Sequence, residues 1–458
     1  MRDPPICLNT RTYSDETAPF TKRESVPLPR SHHVSAAHDD IGLSCAPLSI
    51  LPLRMILRAF GTNAIASSPL LPLSLKIMEV LAHSNSALLN ADKNPVLKYL
   101  LNKTLYAQFC AGETAAQVSD SAAMLKDIGF TGVILAYAKE NPSEELSESE
   151  AAQPGEETQA IIDKEIRPWA ENTMETVRLS KPGDFAALKF TGAALKKAIG
   201  DICQFAHERH VRMLFDGEED ALQRGIDDWT IEFARDYNIH VGGATIFGTY
   251  QAYKKTTEEI LSKHLADAQK HGFTLGVKLV RGAYLESDPR ELFHDTKAAT
   301  DACYDETAEA ILKRRWSDRL TGSGQFPDVS LMLATHNARS VRQAYKICDA
   351  GEARSEVIFA QLQGMADEIS CELVEVNLAA SEEEEAAAAR DGKGHKVMAR
   401  TPALPVYKYM AWGTTGECMK YLLRRAEENK DALGRARDDR DAMWAEMVRR
   451  MKAAFGAA

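Results

Sequence analysis

The chain has 458 residues, enough for about three average domains or for one α/β barrel of about 250 residues with additions. With 45% hydrophobic and 26% charged residues it has a globular composition, which excludes disordered and fibrous classes. Against 66 Asp and Glu stand 55 Lys and Arg, and the net charge of −11 excludes a nucleic-acid binder that works by neutralising phosphates, though not a local basic pocket.

Up to about residue 90 the chain reads as a Pro/Ser-rich leader followed by short apolar helices. Arg2, Arg11, Arg23 and Arg30 suit a mitochondrial presequence, whereas Asp3, Asp15, Glu16 and Glu24 do not. Its apolar stretches, Ile41–Phe60 and Ala64–Val80, are broken by Pro47, Pro52 and Arg54 and by Pro69, Pro72 and Lys76. Neither offers the roughly 18 uninterrupted apolar residues of a spanning helix.

From residue 95 the texture changes. Val96, Leu97, Leu100, Leu101, Leu105 and Phe109 fit one helix face, and Ala115–Ile128 fits the next helix. A strand then follows the Gly129 stop, running to Tyr137. Seven more strands are predicted at Phe185–Phe190, Val211–Phe215, Thr245–Tyr250, Leu275–Val280, Ser330–Ala334, Val357–Gln361 and Leu404–Met410. The helices between them are Ala193–His210, Ile226–Tyr237, Thr256–His271, Thr296–Ser317 and Ala338–Ala350. Strands alternating with helices make parallel βαβ units, and a count of eight predicts closure into a (β/α)8, TIM-like barrel. The expected organisation is a leader at 1–90, the barrel at 91–435 and a helical tail at 436–458. Two acidic runs, 140–157 and 382–385, read as solvated loop or exposed helix.

The eight cysteines are scattered, with no C-x-x-C pair, so zinc ribbons, iron–sulfur runs and thioredoxin-like motifs lack support. Gly322-Ser-Gly-Gln-Phe-Pro327 lacks the third glycine of a dinucleotide fingerprint and precedes a strand rather than following one. A P-loop, a G-x-S-x-G elbow and an H-E-x-x-H helix are absent.

Chemistry in such a barrel collects at the C-terminal strand ends. There the chain carries Lys189, Asp216, Gln251, Lys278, Arg281, Thr335, His336, Asn337, Gln361, Gln363 and Tyr409. On the last strongly helical segment Tyr421, Arg424 and Arg425 fall at i, i+3 and i+4, on one face, with Glu428 one turn further. Two adjacent guanidiniums can clamp a carboxylate or phosphate; the same residues also suit a solvated Arg/Glu face. Lys278-Leu-Val-Arg281-Gly282-Ala283-Tyr284 puts two cations and a small-residue step at the end of the fifth strand, suited to an anionic or electron-rich cofactor. His336 has no second histidine at metal-ligand spacing, and no metal site is expected.

Four segments together resemble the proline dehydrogenase family, in its eukaryotic monofunctional form. They are Leu275-Gly-Val-Lys-Leu-Val-Arg-Gly-Ala-Tyr284, Ala334-Thr-His-Asn337, Phe359-Ala-Gln-Leu-Gln-Gly-Met365 and Tyr421-Leu-Leu-Arg-Arg425, with weaker echoes at Met213-Leu-Phe-Asp216 and Tyr250-Gln-Ala-Tyr253. The resemblance spans about residues 95 to 435 in the family's order, and implies a distorted (β/α)8 barrel that binds FAD without a Rossmann motif. It implies that Arg424 and Arg425 hold the proline carboxylate with Lys189, that Tyr409 and Tyr421 wall the ring with Leu362 on the apolar side, and that Asp216 bonds into the substrate shell, with Tyr284 in the same group. Gln251, Lys278, Arg281, Gly282, Ala283, Thr335, His336, Asn337 and Glu428 match flavin-contact positions. Lys278 and Arg281 stand in the opposite order to the Arg-then-Lys of bacterial relatives.

The implied reaction is hydride transfer from C5 of free-amine proline to flavin N5, giving Δ1-pyrroline-5-carboxylate. Electrons then pass to a membrane quinone, at the matrix side of the mitochondrial inner membrane, with peripheral attachment through the apolar pieces between Ile41 and Val80. Tyr409 stands where hydroxyproline-preferring relatives carry a smaller residue, which favours proline over hydroxyproline. The chain's length leaves no room after residue 435 for the aldehyde dehydrogenase of the bifunctional form. Alternatives are a hydroxyproline dehydrogenase, a lyase or aldolase using Lys189 or Lys278 as a Schiff-base amine, and a scaffold docking through 140–157.

Overall fold

Capping residues set where this chain turns into its barrel. Thr114 accepts from the Gln117 amide at the head of the helix Ala115–Ile128, and Gly129 closes it, delivering the chain to β1 (Gly132–Tyr137). The protein is described by a computed structural model covering residues 46–69, 71–139, 166–189, 196–239, 242–391, 403–428 and 433–456. Residues 1–45 of the expected leader and the acidic run 140–157 lie outside the described residues.

The remaining strands are β2 (Phe185–Leu188), β3 (Arg212–Phe215), β4 (Ile246–Gln251), β5 (Leu275–Val280), β6 (Val329–Ala334), β7 (Glu356–Leu362) and β8 (Val406–Trp412). They pair in parallel in chain order, and β8 returns to β1, with Ile134 opposite both Phe185 and Tyr409. The helices Lys196–Glu208, Asp220–Tyr237, Thr257–His271, Lys297–Leu312, Ala338–Asp349 and Asp367–Asp391 cross between successive strands, and Thr415–Glu428 follows β8. The expected closed (β/α)8 barrel is the observed fold.

Period-2 alternation splits the strand residues between two cores. Ile134, Phe185, Ala187, Leu214, Phe247, Met332, Ile358, Tyr407 and Tyr409 fill the barrel interior. At its N-terminal end Phe185 stands edge-on to both Phe247 and Tyr407. Above Phe185 and Phe247 lies the Arg212 guanidinium, which makes two 2.8 Å bonds to Glu356. That end is plugged, so the C-terminal end is the open one.

Two further elements cover the barrel. Helix Leu53–Ala66 packs on the C-terminal helix Leu433–Ala454 through Met55, Ile56, Ala59 and Met443, and Phe60 meets Trp444 at 5.6 Å. Helix Leu71–His83 lies on Thr415–Glu428, where Ala82 packs with Met419 and Leu423. These are the short apolar helices expected after the leader.

Several boundaries differ from the sequence expectation. The face Val96–Phe109 is two helices, Pro95–Lys103 and Leu105–Phe109, because Thr104 leaves helical geometry at φ −114, ψ −101; Val96 and Leu100 are exposed. β3 starts at Arg212 because the Val211 amide still bonds back to Ala206 O. The last strand starts at Val406, not Leu404: Asn377 brackets the Leu404 amide and carbonyl, and Pro405 has no N–H. The helix expected to reach Ser317 stops at Leu312, where Arg314 turns to φ 50. The acidic run 382–385 belongs, in its backbone, to the helix Asp367–Asp391.

Candidate active site at the barrel mouth

The alternation that fills the barrel interior also chooses what faces its mouth. One step beyond the inward residues Ala187 of β2 and Leu214 of β3 come Lys189 and Asp216; Lys278, Leu362 and Tyr409 occupy the equivalent inward positions of β5, β7 and β8. Leu362 stands beside Tyr409 in register. Five of the expected site residues therefore converge because each has inward parity at or near the C-terminal end of its strand.

Asp216 is the hub. Its Oδ1 accepts from Lys278 Nζ at 2.6 Å and its Oδ2 from the Tyr409 hydroxyl at 2.7 Å. Burial by itself raises a carboxyl's pKa, but the Lys278 ammonium, helped by Lys189 and Tyr409, outweighs it and holds Asp216 below its ordinary value. Lys278 also lies 5.4 Å from the centre of the Tyr409 ring, so one cation orients both partners. Burial first, then the Asp216 charge, keeps the Tyr409 phenol protonated far above its usual range.

Beside the hub, the Tyr284 hydroxyl donates to Glu218 Oε2 at 2.6 Å. Gln251 Nε2 donates to the Glu218 carbonyl at 3.1 Å. Burial raises the Glu218 carboxyl above the usual carboxylate range despite that phenol and the Lys189 charge. Glu218 escaped the sequence reading. The signal was available, since it lies in Asp216-Gly-Glu-Glu219 directly after a strand end, but it was masked as an ordinary acidic loop.

Over the mouth lies the helix Thr415–Glu428, with Tyr421 buried and Arg424 and Arg425 partly buried. The Tyr421 ring has Lys189 Nζ at 5.8 Å and the Arg425 guanidinium at 5.8 Å. Burial chiefly, then Arg424 and Arg425, push the Lys189 ammonium down from 10.5 to about 8; Asp216 and Glu218 only partly oppose them. Three cations thus gather beside one aromatic ring, a setting whose positive charge suits an anionic ligand. Glu428 ends this helix, and its side chain lies outside the described residues.

The rim after β5 and β6 is built differently. Arg281 Nε donates to Asp301 at 2.7 Å, Nη1 to Thr335 at 3.0 Å and Nη2 to Ser340 at 2.9 Å, with the guanidinium 4.3 Å from the Tyr304 ring centre. It braces one strand end against the next. Thr335 Oγ1 also accepts from the Asn337 amide, and Asn337 caps the helix Ala338–Asp349 through the Ser340 amide. His336 Nε2 accepts from the Leu362 amide at 3.1 Å, which places the proton of the neutral ring on Nδ1. Gly282 has φ +136 and abuts the Tyr253 ring, where a Cβ would come within 2.3 Å; Ala283 follows it, partly buried. Gln361 is not at the mouth: it faces outward, accepting from Ser370. A cavity of about 1400 Å³ opens from this rim, with His336, Asn337 and Arg425 in its wall.

Comparison with known proteins gives a consistent result. The family model described as Proline dehydrogenase matches residues 118–438. The chain is 27% identical over 423 residues to the probable mitochondrial proline dehydrogenase of Schizosaccharomyces pombe, covering 78% of this chain and 80% of that one. To the hydroxyproline dehydrogenase of Bos taurus it is 26% identical over 404 residues, covering 77% and 82%. Among solved structures, proline utilization A from Bdellovibrio bacteriovorus inactivated by N-propargylglycine superposes with a TM-score of 0.58 at 17% identity, a likeness of fold. The match covers 83% of this chain and 41% of that longer one. With the family model matching well over half its length, the chain belongs to the proline dehydrogenase family.

Proposed function

We propose that the protein oxidises L-proline to Δ1-pyrroline-5-carboxylate with FAD, and that the electrons go on to a membrane quinone. The observation that carries this reading is the convergence of Lys189 and Arg425 on the Tyr421 ring, with Arg424 close enough to act on the Lys189 charge, beside a wall of buried Tyr409 and partly buried Leu362. A small ring bearing a carboxylate suits that pairing: the guanidiniums and the ammonium take the carboxylate, and the apolar wall takes the ring.

The residues present fit a flavin dinucleotide. The mouth carries Lys278 and Gln251, and Gly282 keeps a side chain out of the space against Tyr253. Gln251, Lys278, Gly282, Ala283, Thr335, His336, Asn337 and Glu428 would hold it, and Arg281 would act by bracing Thr335. When bound, FAD supplies the acceptor for the hydride from C5 of proline. The chain's own residues bind and orient: Lys278 would help to hold the flavin, and Asp216 fixes Lys278 and Tyr409 relative to each other. The proline amine reacts deprotonated.

Tyr409 favours proline over hydroxyproline, because its hydroxyl is tied to Asp216 and its ring cannot swing away from the substrate wall. Peripheral attachment to the mitochondrial inner membrane belongs to the same reading. It rests on the relatives named as mitochondrial and on the apolar helices at the amino-terminal side.

Proline-dependent bleaching of the bound flavin tests the proposal. Wild type should bleach anaerobically with proline, and Arg424→Met should need at least about tenfold more proline. Purified protein that holds no flavin, or that bleaches with hydroxyproline in preference to proline, overturns it.

A further inference from the structure

Helix Leu71–His83 is apolar on two faces. Leu71, Leu75 and Met78 line the cavity that reaches the barrel mouth, while Leu73 and Val80 on the other side are 57% and 48% exposed. Large apolar side chains left exposed on a helix face suit contact with a lipid surface. It meets the helix Leu53–Ala66 at 106°, with Leu53 also exposed. Among the described residues no single helix is long and apolar enough to cross a membrane, so the pair suits lying in an interface.

Charge agrees with that placement. Between residues 53 and 103 the chain carries Arg54, Arg58, Lys76, Lys93, Lys98 and Lys103 against only Glu79 and Asp92, a local reversal of the overall −11. A basic, apolar hairpin is attracted to an anionic lipid surface. Beneath it the cavity has mainly hydrocarbon walls on the side of Leu57, Leu75 and Met78, and reaches His336, Asn337 and Arg425 on the other. Its volume of about 1400 Å³ is more than a small imino acid needs.

We propose that this cavity is the port by which a lipid-soluble quinone passes from a bilayer, on which the two helices rest, to the barrel mouth. The proposal rests on the reading above that a membrane quinone takes the electrons. The exchange balances without another reagent. Proline loses two electrons and two protons from C5–H and N–H as the C=N bond forms, and the quinone takes both as its two C=O groups become C–OH. The inner wall also carries Glu368, Asp438 and Asp439. Burial, then the Asp367 charge, raises Asp439 to about 7, so a carboxyl able to carry a proton near neutrality stands beside the port.

Gly61 provides the test. It lines the cavity on the helix Leu53–Ala66, and a Cβ there meets nothing within 4 Å, so a side chain enters open space rather than packed atoms. In the flavin-loaded full chain, Gly61→Phe should raise the KM for decylubiquinone about tenfold and leave proline oxidation with phenazine methosulfate unchanged. The dissociation constant for decylubiquinone, read from quenching of tryptophan fluorescence without turnover, should rise by the same factor. Ser74→Phe on the facing helix repeats the test if Gly61→Phe melts at lower temperature. Leu73→Glu with Val80→Glu should abolish co-sedimentation with phosphatidylcholine–phosphatidylserine vesicles. Unchanged decylubiquinone binding in both plugged variants overturns the port alone. A wild type that oxidises proline with phenazine methosulfate but does not bind decylubiquinone overturns the acceptor reading and the port together. A wild type that oxidises proline with neither overturns the proposed function itself.

Discussion

The Tyr409 hydroxyl donates to Asp216 at 2.7 Å, which ties the end of β8 to the end of β3 across the barrel mouth. Removing only the hydroxyl, in Tyr409→Phe, keeps the ring wall but leaves Asp216 to Lys278 alone. A hydrogen bond to a charged partner contributes about 1.5–3 kcal/mol, so kcat/KM for proline should fall about tenfold or more. Tyr409→Ser should instead shift the ratio of hydroxyproline to proline turnover upward by opening space beside the ring. Steady-state kinetics on both imino acids checks the two variants, and an unchanged ratio in Tyr409→Ser rules out Tyr409 as the discriminator.

Lys189 gives a pH dependence with a definite sign. Its ammonium is pushed down to about 8, so it is charged below that pH and neutral above it. An anionic ligand should therefore bind more weakly as pH rises through about 8. Cyclopentanecarboxylate, which has the ring and carboxylate without the amine, isolates this effect as a competitive inhibitor. Its inhibition constant should climb above about pH 8 in wild type and stay flat in Lys189→Met, at a weaker value. Because the folded pKa lies below 10.5, the unliganded protein carries a penalty for this charge below about pH 8, which fades as pH rises towards 10.5. Lys189→Met should thus melt higher than wild type near neutral pH when no ligand is present.

Gly282 separates flavin retention from folding. At φ +136, with the Tyr253 ring where a Cβ would go, Gly282→Ala must displace the ring or the loop. Flavin content per chain should drop well below that of wild type while the far-ultraviolet dichroism persists. Full flavin occupancy in Gly282→Ala would remove this glycine from the cradle.

Lys408 is a stability residue rather than a site residue. It is 1% exposed on the outer side of β8, and its Nζ donates to Asp367 at 2.7 Å and to the Met365 carbonyl at 3.0 Å. Lys408→Ala leaves Asp367 buried without its cation and should cost about 3–5 kcal/mol. Lys408→Met with Asp367→Leu should recover much of that loss, measured by denaturant unfolding. Equal destabilisation in the single and the double variant would show that the pair is not coupled.

Much of the mouth was legible before any coordinates. Lys189, Asp216, Lys278 and Tyr409 sit near strand ends, and a strand end is visible as the point where an apolar alternation stops; Leu362 came only from the family resemblance. Asp216 as the shared partner of Lys278 and Tyr409 was not legible. The three residues are 62 and 193 positions apart along the chain, and only closure of the barrel brings them within bonding distance. Arg281 holds another relationship that spacing hides: its Nε, Nη1 and Nη2 each donate to a neighbour, Asp301, Thr335 and Ser340. Whether a cation is engaged by its own neighbours depends on rotamers and distances that spacing does not carry.

Local rules were enough to determine eight alternating units, the strand ends where polar residues gather and the single helix face bearing Tyr421, Arg424 and Arg425. They are short-range properties, since periodicity, capping and turn chemistry act over a few residues. The tertiary structure alone decided that Lys189 and Arg425 flank the same aromatic ring and that burial depresses the lysine. It also decided that the apolar helices of the leader roof a cavity leading to that ring's neighbours. Desolvation and long-range pairing depend on what the rest of the chain packs around a group, so they arise only when the barrel closes and its covering helices dock.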